Sequence, residues 1–306
     1  MKRRLISIDG GGLRGYAPAY KLKQMTQDFD NFDPCTYFDA YAGTSTGAMI
    51  AISLATGFNL DKTIETYIDG KKIFFIKERK DKIPRTLIFP QYKLKGIKDF
   101  IDQHYDSKTT LNDIYKKYKK TIMIFSTDFK YGNPVIFATP DIKGEYIVGG
   151  DYPIREIILS AIGAPGYFPL NKMIIDGEEK LLGDGGLWAN NPVGFAAKNL
   201  KLAYKKDDIY AISFGNEFHK QLLFYDKYKK YKPIKLTQDL IKVATRSSMN
   251  AADVIANDFC KKHTRITMQM DYDNPLNDLR KTFIEKVKEN YILSKNKIED
   301  YLNNSK

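Results

Sequence analysis

Three short segments carry residues whose types and spacing could do chemistry. The first is Gly43-Thr44-Ser45-Thr46-Gly47, set between an apolar run that reads as a strand and an apolar run that reads as a helix. A strand that turns at once into a helix forces its central residue into a strained conformation, and flanking glycines avoid clashes there. The Ser45 hydroxyl would project at a helix N-terminus, where backbone N–H groups point outward. That is the setting of a serine nucleophile. In isolation the same residues also suit a plain turn.

The second segment is Asp9-Gly10-Gly11-Gly12-Leu13-Arg14-Gly15. Three glycines between a strand and a helix expose N–H groups that attract negative charge. The loop suits an oxyanion cradle, a phosphate cradle or a plain turn equally well. It contains G-x-G-x-x-G, and Asp39, a little late in the chain, would be the acid of a dinucleotide site. The third segment, Gly183-Asp184-Gly185-Gly186, leads to Asn190-Asn191-Pro192 and places a carboxylate on a tight loop, which also suits an Asx-turn.

Histidine decides between mechanisms. His104 lies in a polar helical stretch, and His263, in Lys261-Lys262-His263, is expected in solvent. His219, shortly after a strand over 209–214, is the credible member of a Ser–His–Asp triad. None has a setting as specific as that of Asp184. A Ser–Asp pair works without histidine if partial burial raises the carboxylate pKa so that it can take the serine proton.

The elements that must position these groups alternate between β and α, the pattern of a parallel α/β sheet. Strands are predicted over 5–8, 38–42, 121–127, 135–138, 173–175, 181–182, 209–214 and 264–270. Helices are predicted over 13–29, from Gly47 to about Thr56, and over 60–72, 154–162, 236–259 and 281–302, with one more opening at Pro192. No composition shift marks a boundary, so 1–306 reads as one domain. From Ala40 to Leu60 there is no charge, but the stretch opens with Gly, Thr and Ser and reads as strand, turn and buried helix, so no membrane span is expected. The basic N-terminus mimics a signal peptide, but Asp9 ends its apolar run too early for one.

The 306 residues are 43% hydrophobic and 13% aromatic, which excludes a disordered or collagen-like chain. Two cysteines, Cys35 and Cys260, cannot staple a fold of this size, and a reduced compartment fits. The net charge of +12 rests on 40 Lys against 9 Arg, which argues against a DNA reader and suits either a soluble protein or one that visits anionic lipid. Residues 71–98 hold ten basic and two acidic residues among Phe74, Phe75, Ile76, Leu87, Ile88, Phe89 and Tyr92. They suit a lid or an interfacial contact, or a solvated charge run over apolar residues that face the core. The runs at 116–120 and 227–235 read as plain surface.

Together, in this order and spacing, the segments around Asp9–Gly15, Gly43–Gly47 and Asp184–Gly186 resemble the patatin-like phospholipase family. Ser160–Pro169 and Asn190-Asn191-Pro192 strengthen the likeness, which covers about residues 4–215 and leaves 216–306 as a helical and strand completion. The resemblance implies a three-layer α/β/α fold with a mainly parallel sheet. It also implies a Ser–Asp dyad, with Ser45 the nucleophile and Asp184 the base. Gly10, Gly11 and Gly12 would form the oxyanion hole, and Asp9, Arg14, Gly15, Gly43, Gly47, Gly185 and Gly186 would support the motifs. It implies hydrolysis of phospholipid or lysophospholipid acyl esters, with neither cofactor nor metal, by a cytoplasmic enzyme acting peripherally at a membrane.

Some bacterial members are membrane-degrading effectors that cyclic oligonucleotides switch on in antiphage defence. Such an activator, bound near Arg246 and Ser247, and a homo-oligomer would be the partners, with no DNA. A Ser–His–Asp esterase using His219 is the alternative enzyme, and a nucleotide-binding protein using Asp9–Gly15 is the alternative of a different class.

Overall fold

The computed structural model describes residues 1–76, 90–217, 233–269, 276–277 and 279–306. In chain order the elements begin with β1 (Lys2–Ile8), a 3₁₀ turn (Gly12–Gly15), α1 (Tyr16–Asp28), α2 (Pro34–Tyr37), β2 (Ala40–Thr44), α3 (Thr46–Ala55) and α4 (Leu60–Ile73). Next come α5 (Lys95–His104), α6 (Leu111–Tyr118), β3 (Thr121–Asp128), β4 (Asn133–Ala138), β5 (Ile147–Val148) and α7 (Ile154–Ile162). Then follow β6 (Asn171–Ile175), β7 (Glu178–Asp184), α8 (Gly186–Ala189), α9 (Val193–Ala203), β8 (Asp208–Glu217), α10 (Pro233–Phe259), β9 (Lys262–Gln269) and α11 (Lys281–Ser305).

The sheet runs β5-β4-β3-β2-β1-β8-β9, with the β6–β7 hairpin joined to β3. The five strands from β3 to β9 are parallel to their neighbours, and β4 and β7 run antiparallel to β3. Both faces of the parallel strands are buried, so successive side chains feed two different cores. Ile6, Ile8, Tyr41, Ile122, Ile124, Ile212 and Phe214 pack on the side of α1, α3, α7 and α11. Leu5, Ala40, Ala42, Met123, Phe125, Ile209 and Ala211 pack on the side of α9 and α10. This is the expected three-layer α/β/α architecture. The chain leaves β1 toward β2 and later returns to β1's other side with β8. A crevice therefore opens beyond the carboxyl end of β1, where open α/β sheets place ligands.

Element boundaries move in ways that matter for the site. Tight 3₁₀ geometry over Gly12–Gly15 delays α1 to Tyr16. β2 starts at Ala40 rather than Phe38, and Pro192 caps α9 instead of opening it. Asp184 is the last residue of a seven-residue strand rather than part of a free loop. The uncharged stretch after Asp39 is accounted for by β2 and α3, both buried, and no helix among the described residues is long and apolar enough to cross a membrane.

One buried lysine gives the fold a testable pH response. Lys21 of α1 is 2% exposed and donates to Asn290 Oδ1 of α11. Burial, helped by the nearby Arg265 charge, lowers its pKa to about 7. The unfolded chain keeps this proton up to its ordinary value, so between the two values it binds more protons than the native state. Stability must therefore rise with pH across that window. Urea unfolding of wild type and Lys21→Met at pH 7 and pH 9 is expected to show a rise for wild type that the variant lacks. Parallel pH dependence would show that this ammonium carries no burial penalty.

Candidate functional site

The elbow is built by contact, not only by local preference. Ser45 sits between β2 and α3 with φ 55° and ψ −128°, a region that costs a side-chain-bearing residue about 1–3 kcal/mol. A Cβ on Gly43 would lie 2.2 Å from the Gly47 carbonyl oxygen, and one on Gly47 would lie 2.2 Å from that of Ile8. Both positions are bare because strand, turn and helix press on one another and on β1. Thr44 Oγ1 donates to the Ala189 carbonyl (2.6 Å) and ties the elbow to the loop after Asp184. Thr46 and Tyr67 join their hydroxyls from the α4 side.

β7 carries Asp184 to the elbow. Pairing with β3 puts Asp184 opposite Ser126, its N–H donates to Gly163 (3.1 Å), and its carbonyl accepts from Thr127 Oγ1 (2.9 Å). Gly186 N–H donates to Oδ1 at 2.8 Å. A Cβ on Gly185 would meet the Phe125 backbone at 2.7 Å, so the turn lies flat on β3. Burial raises the carboxyl pKa to about 6, opposed by hydrogen bonds from Ser45 and Gly186 N–H. Residues 45 and 184 are thus brought together, and the carboxylate is poised to accept a proton near neutral pH.

The glycine loop closes the third side. Asp9 N–H donates to the Phe214 carbonyl (3.0 Å), and its carboxylate takes both terminal nitrogens of Arg265, one at 2.8 Å. Gly10, expected among the oxyanion donors, directs its N–H to the Asn190 carbonyl at 3.0 Å. Among the described residues the N–H groups of Gly11 and Gly12 make no backbone hydrogen bond, and both glycines line the cavity. Gly12 has φ +57°, and a Cβ there would sit 2.5 Å from the Leu276 carbonyl, which accepts from Leu13 N–H. Arg14 turns back so that Nε donates to the Gly11 carbonyl (3.1 Å). Burial lowers its pKa to about 10, so it stays charged at neutral pH. Gly15 leaves room for the Tyr67 ring, 2.7 Å from where a Cβ would stand.

Several site residues were not evident from the local sequence. Arg265 holds Asp9 and approaches Asp253 at 3.8 Å, while Asn191 Nδ2 donates to Asp253 at 2.8 Å. Glycine loop, Asn190–Asn191 turn, α10 and β9 are thereby one polar unit. The available signal was a charged residue inside the alternating strand Thr264–Met270. His263 corrects the expectation of a solvated ring: it is 3% exposed and lies 2.8 Å from Ser213 Oγ. Burial pushes its pKa down to about 4. Ser213, His263 and Asp253 are near one another, but Ser213 is fully buried within β8, where no substrate reaches it. His104 bonds the Phe100 carbonyl and packs on Phe58. His219 lies outside the described residues.

Asp39 stands at the start of β2, bound to Arg4 N–H (2.8 Å) and its guanidinium. That is the opposite end of the strand from the glycine loop, so the acid a dinucleotide site requires is misplaced. In the basic stretch, Phe74 and Tyr92 are buried, and Phe75 packs on Tyr92 and Phe168. Its described aromatics therefore serve the core. Lys77, Arg79, Lys80, Lys82, Leu87, Ile88 and Phe89 lie outside the described residues, as does most of the 227–235 run.

A cavity of 440 Å³ opens over Ser45, Asp184 and Gly10–Gly12, walled by Met49, Phe74, Phe75, Tyr167 and Phe168. Its volume falls in the roughly 300–1,000 Å³ range of ligand sites.

The profile of a family described as patatin-like phospholipase matches residues 6–197. The chain is 26% identical over 225 residues to a cGAMP-activated phospholipase of Escherichia coli, covering 69% of this chain and 61% of that protein. It is 29% identical over 216 residues to patatin-like protein 2 of Arabidopsis thaliana, covering 61% and 50%. A cUMP-AMP-activated phospholipase of Escherichia coli is 26% identical over 83% of this chain and 78% of its own length. The chain thus spans between half and two thirds of the first two relatives. In fold, the crystal structure of VipD from Legionella pneumophila matches with a TM-score of 0.50 and 12% identity, over 98% of this chain and 67% of that one. With a matched profile that runs from β1 through the Asp184 turn into α9, the chain belongs to the patatin-like phospholipase family.

Proposed function

We propose that this protein is a serine acyl hydrolase that releases fatty acid from phospholipids or lysophospholipids, working peripherally at a membrane surface. The carrying observation is a strained Ser45 beside a buried Asp184, whose pKa burial raises to about 6, in an apolar cavity.

In this reading Ser45 Oγ attacks the ester carbonyl carbon while Asp184 takes its proton. The carbonyl oxygen becomes an oxyanion facing Gly11 and Gly12 N–H. The tetrahedral species collapses, the C–O bond to the glycerol oxygen breaks, and Asp184 returns the proton to that leaving group. Water then attacks the acyl-serine while Asp184 takes its proton, the acyl–Oγ bond breaks, Asp184 returns the proton to Ser45 Oγ, and the fatty acid leaves. Each oxyanion donor is worth roughly 2.7–4 kcal/mol in such sites. The apolar walls suit an acyl chain, which favours an ester of a fatty acid over a small polar one.

The names of the bacterial relatives support regulation by a cyclic dinucleotide, and a place among antiphage effectors goes with that regulation. A thermal shift on adding cGAMP or cUMP-AMP, with faster lipid hydrolysis, is the outcome this reading requires. The reading as a whole is tested by fatty acid release from phosphatidylcholine and phosphatidylglycerol vesicles. Wild type is expected to produce lysolipid and free fatty acid, and Ser45→Ala to produce neither. Equal release by both proteins would end the serine mechanism.

A further inference from the structure

One face of α10 closes the cavity with charge. Ile241, Lys242, Thr245, Arg246 and Met249 line it, the spacing of residues stacked along one side of a helix. Exposure falls along this face: Ile241 is 48% exposed and Met249 only 6%, with Thr245 and Arg246 between them half-buried. Met249 Sδ accepts from Asn190 Nδ2 at 3.2 Å, beside the carbonyl that holds Gly10. The helix is pinned further down, where the Ala252 carbonyl would lie 2.6 Å from a Cβ on Gly194. The deep end of the face is therefore fixed against the glycine loop, and the cations lie one to two helical turns outward. The charged residues that line the cavity, among those described, are Arg14, Lys242, Arg246 and Asp184.

We propose that Arg246, with Lys242 and Thr245, forms a phosphate subsite that reads the phosphodiester of the substrate. This rests on the reading of Ser45 as the nucleophile. A glycerophospholipid carries its phosphate a few bonds from the ester that Ser45 attacks, so apolar depth and cationic mouth match its two ends. A guanidinium with a flanking ammonium and hydroxyl supplies charge-assisted donors of the kind phosphate accepts. Lys242 rests on Asp239 at 3.1 Å, so phosphate binding exchanges one anionic partner for another. A neutral glyceride offers nothing for this exchange. The subsite therefore makes the cavity prefer phosphorylated glycerides, and the preference appears in KM more than in kcat.

The test compares wild type, Arg246→Gln, Arg246→Lys and Lys242→Gln on phosphatidylcholine and on diacylglycerol with the same chains, in mixed micelles. The ratio of kcat/KM for phospholipid to that for diacylglycerol is expected to fall roughly ten- to hundred-fold in Arg246→Gln. Arg246→Lys should recover part of it. Binding of phosphatidylcholine to Ser45→Ala, with and without Arg246→Gln, reads the same subsite without turnover, so a failed serine mechanism and a failed subsite are told apart. Unchanged ratios in Arg246→Gln and Lys242→Gln, with unchanged binding, overturn the proposal. A lost thermal response to cGAMP with an unchanged lipid ratio would assign these cations to a free phosphodiester and also overturn the headgroup assignment.

Discussion

Asp184→Asn is expected to lose at least about a hundred- to ten-thousand-fold in acyl-ester hydrolysis and yet to unfold at a higher temperature than wild type at pH 7. Both outcomes have one cause. Burial raises the Asp184 pKa to about 6 from an ordinary carboxylate value of 3.8. Between those values the native state holds a proton that the unfolded chain has released, so stability falls as pH rises through 6 and the deficit is complete at pH 7. A shift of this size corresponds to something on the order of 2–3 kcal/mol. Asparagine removes the buried charge, keeps an acceptor for Gly186 N–H and cannot take the serine proton.

The same value sets the activity profile of the wild type. kcat/KM should climb with pH, with a midpoint about 6, and level off above 7, where the base is deprotonated. Ser45→Ala should lose activity as fully but gain no such stability, because alanine inherits the φ of 55°. Thermal melts at pH 5 and pH 7 with matched turnover assays separate these effects. If Asp184→Asn turns over like wild type, the carboxylate is not the base. If it melts lower at pH 7, the carboxylate is not the strained partner.

Arg265→Ala is expected to cost about 3–5 kcal/mol of stability, the usual consequence of removing one partner of a buried ion pair. Asp9 is 1% exposed and Arg265 13%, and the carboxylate is wedged where a Cβ on Gly215 would stand only 2.0 Å away. Without the guanidinium the carboxylate must rehydrate, and the nearest way is to pull the glycine loop outward. The Gly11 and Gly12 N–H groups move with it, so kcat should fall even at temperatures where the variant stays folded. The double variant Asp9→Asn/Arg265→Met removes the stranded charge and is expected to recover more than half of the lost stability. Urea unfolding of the single and double variants decides the matter, and a cost below about 1 kcal/mol for Arg265→Ala would show that Asp9 does not depend on this pair.

The chain's own text was enough for the elements and for the chemical groups. Gly-x-Ser-x-Gly between two apolar runs announces an elbow because the clash that glycine relieves is local to five residues. The two-residue alternation of Thr264–Met270 announces a strand for the same reason, since that period belongs to the backbone, and the apolar run of Thr121–Thr127 and the charge-free stretch after Asp39 announce buried elements. Even Asp184 was legible as a carboxylate confined by glycines.

What the text could not contain were relations between distant segments. Strand boundaries slid because pairing partners, not propensity, decide where β2 and β7 stop. Whether Asp184 faces Ser45 depends on β7 pairing antiparallel to β3. Whether Gly10 donates to an oxyanion depends on the Asn190 carbonyl being near enough to claim its N–H. His263 looked solvated beside two lysines, yet strand alternation in β9 turns it inward to Ser213. Arg265 and the Lys242–Arg246 face of α10 join the cavity only after the sheet and helix layers close around it. Covalent spacing dictates local strain, whereas burial, ion pairing and pKa arise only once separate stretches of chain exclude water from one another.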